Sequence, residues 1–194
     1  MSELRHPSEP TNGTPQEETL TAAAPRSGQP SEPLEASTRA GATPAAVHIR
    51  VATLDDLAYI VRFNQCLALE SEGKVLDEVI LTRGVRRALS SPDACRYFVA
   101  ELQGRVVGQT MLTYELTDWR DGLFWWIQSV YVEADCRGRG IFSSLYHHIE
   151  GLAKADPEVR GLRLYVEPHN DPALRTYERL GMHDASYKVL EVVW

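Results

Sequence analysis

The stretch from Ile127 to Phe142 constrains this chain more than any other. Its first part, IQSVYV, is rich in β-branched and aromatic residues and reads as a buried strand. It breaks into a turn, Cys136-Arg137-Gly138-Arg139-Gly140, and a helical pattern begins at once. From Ile141 the apolar residues fall at Leu145, Ile149, Leu152 and Ala153. Strand, glycine turn and helix start together make an anion site. The first N–H groups of a helix have no internal partner, and the macrodipole adds about half a positive charge there. Glycine in the turn removes the Cβ that would keep a phosphate from the backbone.

A second ordered motif follows. LRLYVE (Leu162–Glu167) reads as another strand, and after it come Asn170, Asp171, Pro172, Ala173, Tyr177, Gly181 and Met182. Asn170 or Asp171 can cap a helix, Pro172 suits its first turn, and Gly181 suits the position past its end. Ala173 and Tyr177 are four apart and share one helix face.

The two motifs resemble the acetyl-CoA signature and the following helix of the GNAT superfamily of N-acetyltransferases. Its pattern, Q/R-x-x-G-x-G/A, is met by Arg137, Gly138, Arg139, Gly140 and Ile141. Phe142 stands where glycine or alanine is expected, as in a branch with Arg-x-x-Gly-x-Phe. The resemblance spans roughly residues 47–194. It implies an α/β (α+β) fold with a mixed, mostly antiparallel central sheet flanked by helices, splayed between IQSVYV and LRLYVE. It also implies acetyl-CoA as co-substrate and a small-molecule or peptide amine as acceptor. The alternative is a catalytically silent acyl-CoA-binding regulatory module.

A coarse pass fits that expectation. VHIRVAT (Val47–Thr53) reads as a strand, and a helix starts at Asp55 or Asp56 with Leu57, Ile60, Val61 and Asn64. A second helix is expected over Leu76–Leu89, then a hairpin turning at Gln103-Gly104. Further helices are expected over Ser143–Lys154 and Pro172–Leu180, with YKVLEVVW as the final strand.

Residues 1–46 hold no aromatic residue, seven of the eleven prolines, six acids and three arginines. Such a segment buries too little apolar surface to offset its ordering entropy and is expected to be a disordered leader, with the domain at 47–194. It has no apolar signal core, its acids argue against a transit peptide, and no run reaches membrane-spanning length. A cytoplasmic monomer or homodimer is expected, with no membrane partner. The net charge of −7 argues against nucleic acid. Cys66, Cys95 and Cys136 are scattered, as in a reducing compartment, and Cys136 reads as a small turn residue. His147 and His148 are adjacent and point to different sides of a helix, so no metal is expected.

Acetyl transfer needs a pyrophosphate cradle, an acyl-oxygen donor, a route for the amine proton and an acid for the leaving thiolate. Arg137 to Phe142 and Ser143 supply the cradle, and the arginines can add charge-assisted bonds. By resemblance, the backbone of Val130, Tyr131 and Val132 holds the pantetheine arm, and an N–H there polarises the acyl carbonyl. Asn170, Ala173 and Tyr177 belong to the cofactor side, with Tyr177 as the acid. Family members often carry Glu where this chain has Gln128, which can position water or substrate but cannot take a proton. Glu115, in TYELTDW, is the nearest replacement as base. Glu70 and Glu72, with Asp118 and Asp121, are expected as a negative rim for a cationic acceptor, and Trp119 as a pocket wall.

Overall fold

A computed structural model describes residues 46–194. The expected leader lies outside the described residues, apart from Ala46. Alternation in β2 shows how the core is built. Cys95–Leu102 places Tyr97 and Val99 on one face and Phe98 and Ala100 on the other. The first pair packs with Ile60 and Phe63 of α1 (Leu57–Glu72) and Val85 of α2 (Glu78–Leu89). The second packs with Ile141, Leu145 and Ile149 of α3 (Ile141–Ala155). Helices therefore cover both faces of one sheet.

The sheet order is β1-β2-β3-β4-β5, with β1 at Val47–Val51, β3 at Arg105–Thr117, β4 at Gly122–Val132 and β5 at Val159–Leu164. The first three junctions are antiparallel and β4–β5 is parallel. β2 and β3 form the expected hairpin. Gln103 and Gly104 both take left-handed φ values, 53° and 76°, which suit a tight two-residue turn. β5 pairs with β4 only from Leu123 to Ile127, so the strands part beyond Ile127 and the splay falls where it was expected.

Several boundaries differ from the sequence reading. Ahead of α1, whose N-cap is the expected Asp56, a 3-10 turn (Leu54–Asp56) is capped by Thr53: its hydroxyl accepts from Asp55 N at 3.3 Å while Asp56 returns the capping bond. α2 starts at Glu78, because Asp77 accepts from Ile80 N. β5 begins three residues before Leu162, its register set by β4 rather than by its own apolar run. YKVLEVVW forms no strand. Its residues are exposed and unpaired, since strand composition without a ladder partner does not make a strand.

Candidate active site

The strand end, glycine turn and helix start form in the order expected. β4 ends at Val132, a short 3-10 turn covers Ala134–Cys136, and Gly138 and Gly140 take φ values of 75° and 76° on the way into α3. Only glycine adopts that backbone routinely. A Cβ built on either would meet nothing within 4 Å, so the space in front of the helix start is open. Among the described residues no side chain caps α3, which leaves its first N–H groups for an anion. Ser143 is half-buried in the first turn, and the Ser144 hydroxyl donates back to Gly140 O at 3.1 Å.

Phe142 lies edge-on to Tyr177, with ring centroids 5.6 Å apart. The departure from the loop pattern thus faces α4 (Asp171–Arg179) and brings the start of α3 and Tyr177 together. Asn170 caps α4, its Oδ1 accepting from Ala173 N at 3.2 Å. Burial pushes the Tyr177 phenol above its ordinary value, so it stays protonated at neutral pH.

The two loop arginines have different surroundings. Arg139 is exposed and makes no hydrogen bond or ion pair among the described residues. Arg137 donates from Nε to Val132 O at 2.9 Å and from Nη2 to Glu70 Oε2 at 2.6 Å, and lies 5.4 Å from the Tyr131 ring centroid. Tyr131 donates its hydroxyl to Glu70 Oε1 at 3.0 Å. Burial, with Cys66 and Glu70 alongside, holds that phenol well above its usual range. Glu70 is therefore a tether between α1 and the loop. The Val132 carbonyl is occupied, which narrows the free backbone expected over Val130–Val132.

The expected negative rim does not form. Glu70 meets the end of β4, while Asp118 and Asp121 flank its beginning. Nine strand residues, about 30 Å, separate the two groups. Glu72 pairs with Lys74 at 2.5 Å.

Beneath the loop, Arg105 Nη2 lies 2.8 Å from Asp135 Oδ2 and 3.0 Å from Cys136 Sγ, and its Nη1 lies 2.7 Å from Glu133 Oε2. Arg62 also binds Glu133. Ligand-type atoms of Glu133, Asp135 and Cys136 gather within 4.8 Å, but guanidinium charge already fills the cluster. Its role is to fix the loop base. Cys136 is buried, and burial, then Asp135, push its thiol up.

Gln128 and Glu115 share one sheet face, with Thr113, Phe124, Trp126, Arg163 and Tyr165. Gln128 donates to Thr113 Oγ1 at 2.5 Å. Glu115 accepts from Trp126 Nε1, and its Oε1 lies 2.8 Å from Arg163 Nη1. Arg163 lies 3.9 Å from the centroid of Phe124, and Trp126 stacks on Tyr165 at 4.4 Å. Glu115, expected as the base, is thus engaged by a guanidinium and an indole N–H rather than standing free on the cleft. Trp119 is 85% exposed on the rim of a depression of about 290 Å³, with Glu115, Thr117, Arg163 and Tyr187.

Sequence reasoning gave no site role to Asn64, Tyr97, Gln109 and Thr110, which surround an irregularity in β4 at Ser129. Gln109 and Thr110 are wholly buried polar residues, and only an expected strand with polar residues inside it could have signalled them.

No relative matches among curated proteins. A possible acetyltransferase from Clostridium difficile 630 is 44% identical, over 76% of this chain and 97% of that one, with a TM-score of 0.72. A transcriptional regulator from Bacillus halodurans C-125 is 24% identical, over 77% and 100%, with a TM-score of 0.66. A predicted acetyltransferase with acetyl-CoA from Clostridium acetobutylicum shares the fold at 19% identity, over 76% and 96%, with a TM-score of 0.61. The Acetyltransferase (GNAT) family matches residues 62–182. With the splayed sheet and the glycine loop that opens α3, these matches show that the chain belongs to the GNAT family of acetyltransferases.

Proposed function

We propose that this protein transfers an acetyl group from acetyl-CoA to a primary amine of a small molecule or peptide, by direct attack in a ternary complex. The observation that carries the reading is the open, glycine-lined start of α3, with the protonated Tyr177 held against Phe142 beside it. The α3 N–H groups and Arg139 bind the pyrophosphate, and Arg137 joins them on leaving Glu70. Asn170 and Ala173 set the start of α4 and hence the reach of Tyr177.

The amine nitrogen bonds to the acyl carbon as the carbon–sulfur bond breaks, and Tyr177 gives its proton to the departing thiolate. The amine's own proton passes to water positioned by Gln128. An alkyl amine with a pKa of about 10.4 is only about one part in 10³ neutral at pH 7, a cost of roughly 4–5 kcal/mol that the site must offset. Glu115 orients Arg163 and Trp126 on the acceptor side.

Gln128 in place of a carboxylate, and Glu115 already ion-paired, favour a second reading: an acyl-CoA-binding module without turnover. Acetyl-CoA consumption with a panel of polyamines, amino acids, aminoglycosides and short peptides separates the two. Product with any acceptor supports transfer. Tight CoA binding with no product across the panel supports the module.

A further inference from the structure

β3 and β4 are paired at Gln109–Tyr131 and again at Met111–Gln128. Between those pairs Thr110 alone faces two residues, Ser129 and Val130, so β4 carries a bulge. Ser129 takes a φ of 49°, left-handed backbone at a residue that is not glycine. Such a conformation persists only where its surroundings over-determine it.

The surroundings are specific. Thr110 Oγ1 donates to Gln128 O at 3.1 Å, and Gln109 Nε2 donates to Ser129 O at 3.2 Å. Successive strand side chains point to opposite faces, so two consecutive β4 carbonyls are held by side chains from opposite faces of β3. Both side chains are 0% exposed. Gln109 Nε2 also donates to Asn64 Oδ1 at 2.7 Å, and Asn64 Nδ2 donates to the Tyr97 hydroxyl at 3.3 Å. Ser129 O and Asn64 Oδ1 are both acceptors, so the Gln109 amide must turn its NH₂ to them. Among the described residues its Oε1 is left buried without a partner. A core built for stability alone fills that place with an apolar side chain.

The bulge also lies just past the last β4–β5 pair, Ile127 with Leu164. Its backbone therefore faces the opening of the splay on one side and the two clamping side chains on the other. We infer that Gln109 and Thr110, with Asn64 orienting Gln109, are positioning residues for acyl transfer. They hold the Ser129–Val130 backbone out of the ladder so that an N–H there meets the acyl oxygen. The inference rests on the acetyl-transfer reading above and concerns how the carbonyl is polarised, not whether acetyl-CoA binds.

Thr110→Val removes one hydroxyl at constant shape, Thr110→Ser keeps it, and Gln109→Met removes the amide at similar length. Melting temperature will fall in all three and does not discriminate. The readouts are kcat and KM for acetyl-CoA, the Kd for CoA, and the infrared band of carbonyl-¹³C acetyl-CoA on the protein. Thr110→Val and Gln109→Met should lose at least tenfold in kcat, with KM and Kd within threefold. Thr110→Ser should recover to within threefold of wild type. The bound carbonyl band should lie below that of free acetyl-CoA in wild type and Thr110→Ser, and move back toward it in the other two.

Wild-type kcat and band position in Thr110→Val and Gln109→Met would overturn the inference. So would parallel losses of kcat and CoA affinity, which mean general loosening. If a variant fails to fold, wild type decides: bound acetyl-CoA with an unshifted band refutes the positioning role and leaves acetyl transfer standing. Wild type that neither binds nor consumes acetyl-CoA refutes the acetyl-transfer reading, and this inference with it.

Discussion

Gly140→Asn and Gly140→Asp form a pair whose effects on folding and on CoA binding should have opposite signs. Gly140 precedes α3 with a φ of 76°, and an added Cβ meets nothing within 4 Å. The folding cost is therefore that of left-handed backbone alone, about 1 kcal/mol, which asparagine and aspartate tolerate best. In a domain of this size that is a drop of about 2–4 °C in melting temperature. Aspartate then regains about 0.3–1 kcal/mol from the helix dipole, so it should melt at or above the asparagine variant. For the ligand the same charge is harmful. A carboxylate about 5 Å from a phosphate, at an effective dielectric of about 20, repels it by roughly 3 kcal/mol. Physiological salt, with a Debye length of about 8 Å, cuts this by about half. Calorimetry should show CoA binding to Gly140→Asp at least tenfold weaker than to Gly140→Asn. Equal affinities within twofold would refute the cradle, because a phosphate at the start of α3 must feel that charge.

Tyr177→Phe should keep CoA affinity and melting temperature while kcat falls by about 10²-fold. Because burial raises the Tyr177 phenol, its protonated form outlasts the usual value of about 10. A fall in rate from its ionisation should therefore appear only above pH 10, and a pH profile of Tyr177→Phe should lack it. Glu115→Gln loosens Arg163 and Trp126, so its rate defect should stay constant across pH in a pH–rate profile; a loss that shrinks as pH rises would restore Glu115 as base. Glu70→Gln releases Arg137 from an exposed ion pair of about 0.2–1 kcal/mol, so CoA titration should show binding up to about fivefold tighter. Weaker binding would mean that Arg137 must stay tethered.

The parts legible in the sequence were those whose causes are local. The glycine turn announces α3 because left-handed backbone and an uncapped helix start are properties of consecutive residues. The Asn170 cap of α4 is local in the same way. The β4 bulge is not local. It exists because Thr110, nearly twenty residues earlier, faces two residues instead of one, and nothing in IQSVYV encodes that pairing. Arg137 reads as a phosphate ligand until α1 brings Glu70 across to it, a contact 67 residues apart in sequence. YKVLEVVW has strand composition, but composition supplies no neighbour.

The burial of Cys136 beside Arg105 has a practical consequence for measuring this protein. Cys95 and Cys136 are both buried, and burial raises both thiols. The thiolate is the form that reacts with disulfide and maleimide reagents, and at neutral pH these two side chains hold very little of it. Each turnover of the proposed reaction releases one CoA thiol into solution, where it ionises normally. A thiol-titrating dye will therefore count turnovers against a low, steady protein background, with the half-buried Cys66 as the residue to replace by serine if a slow drift remains.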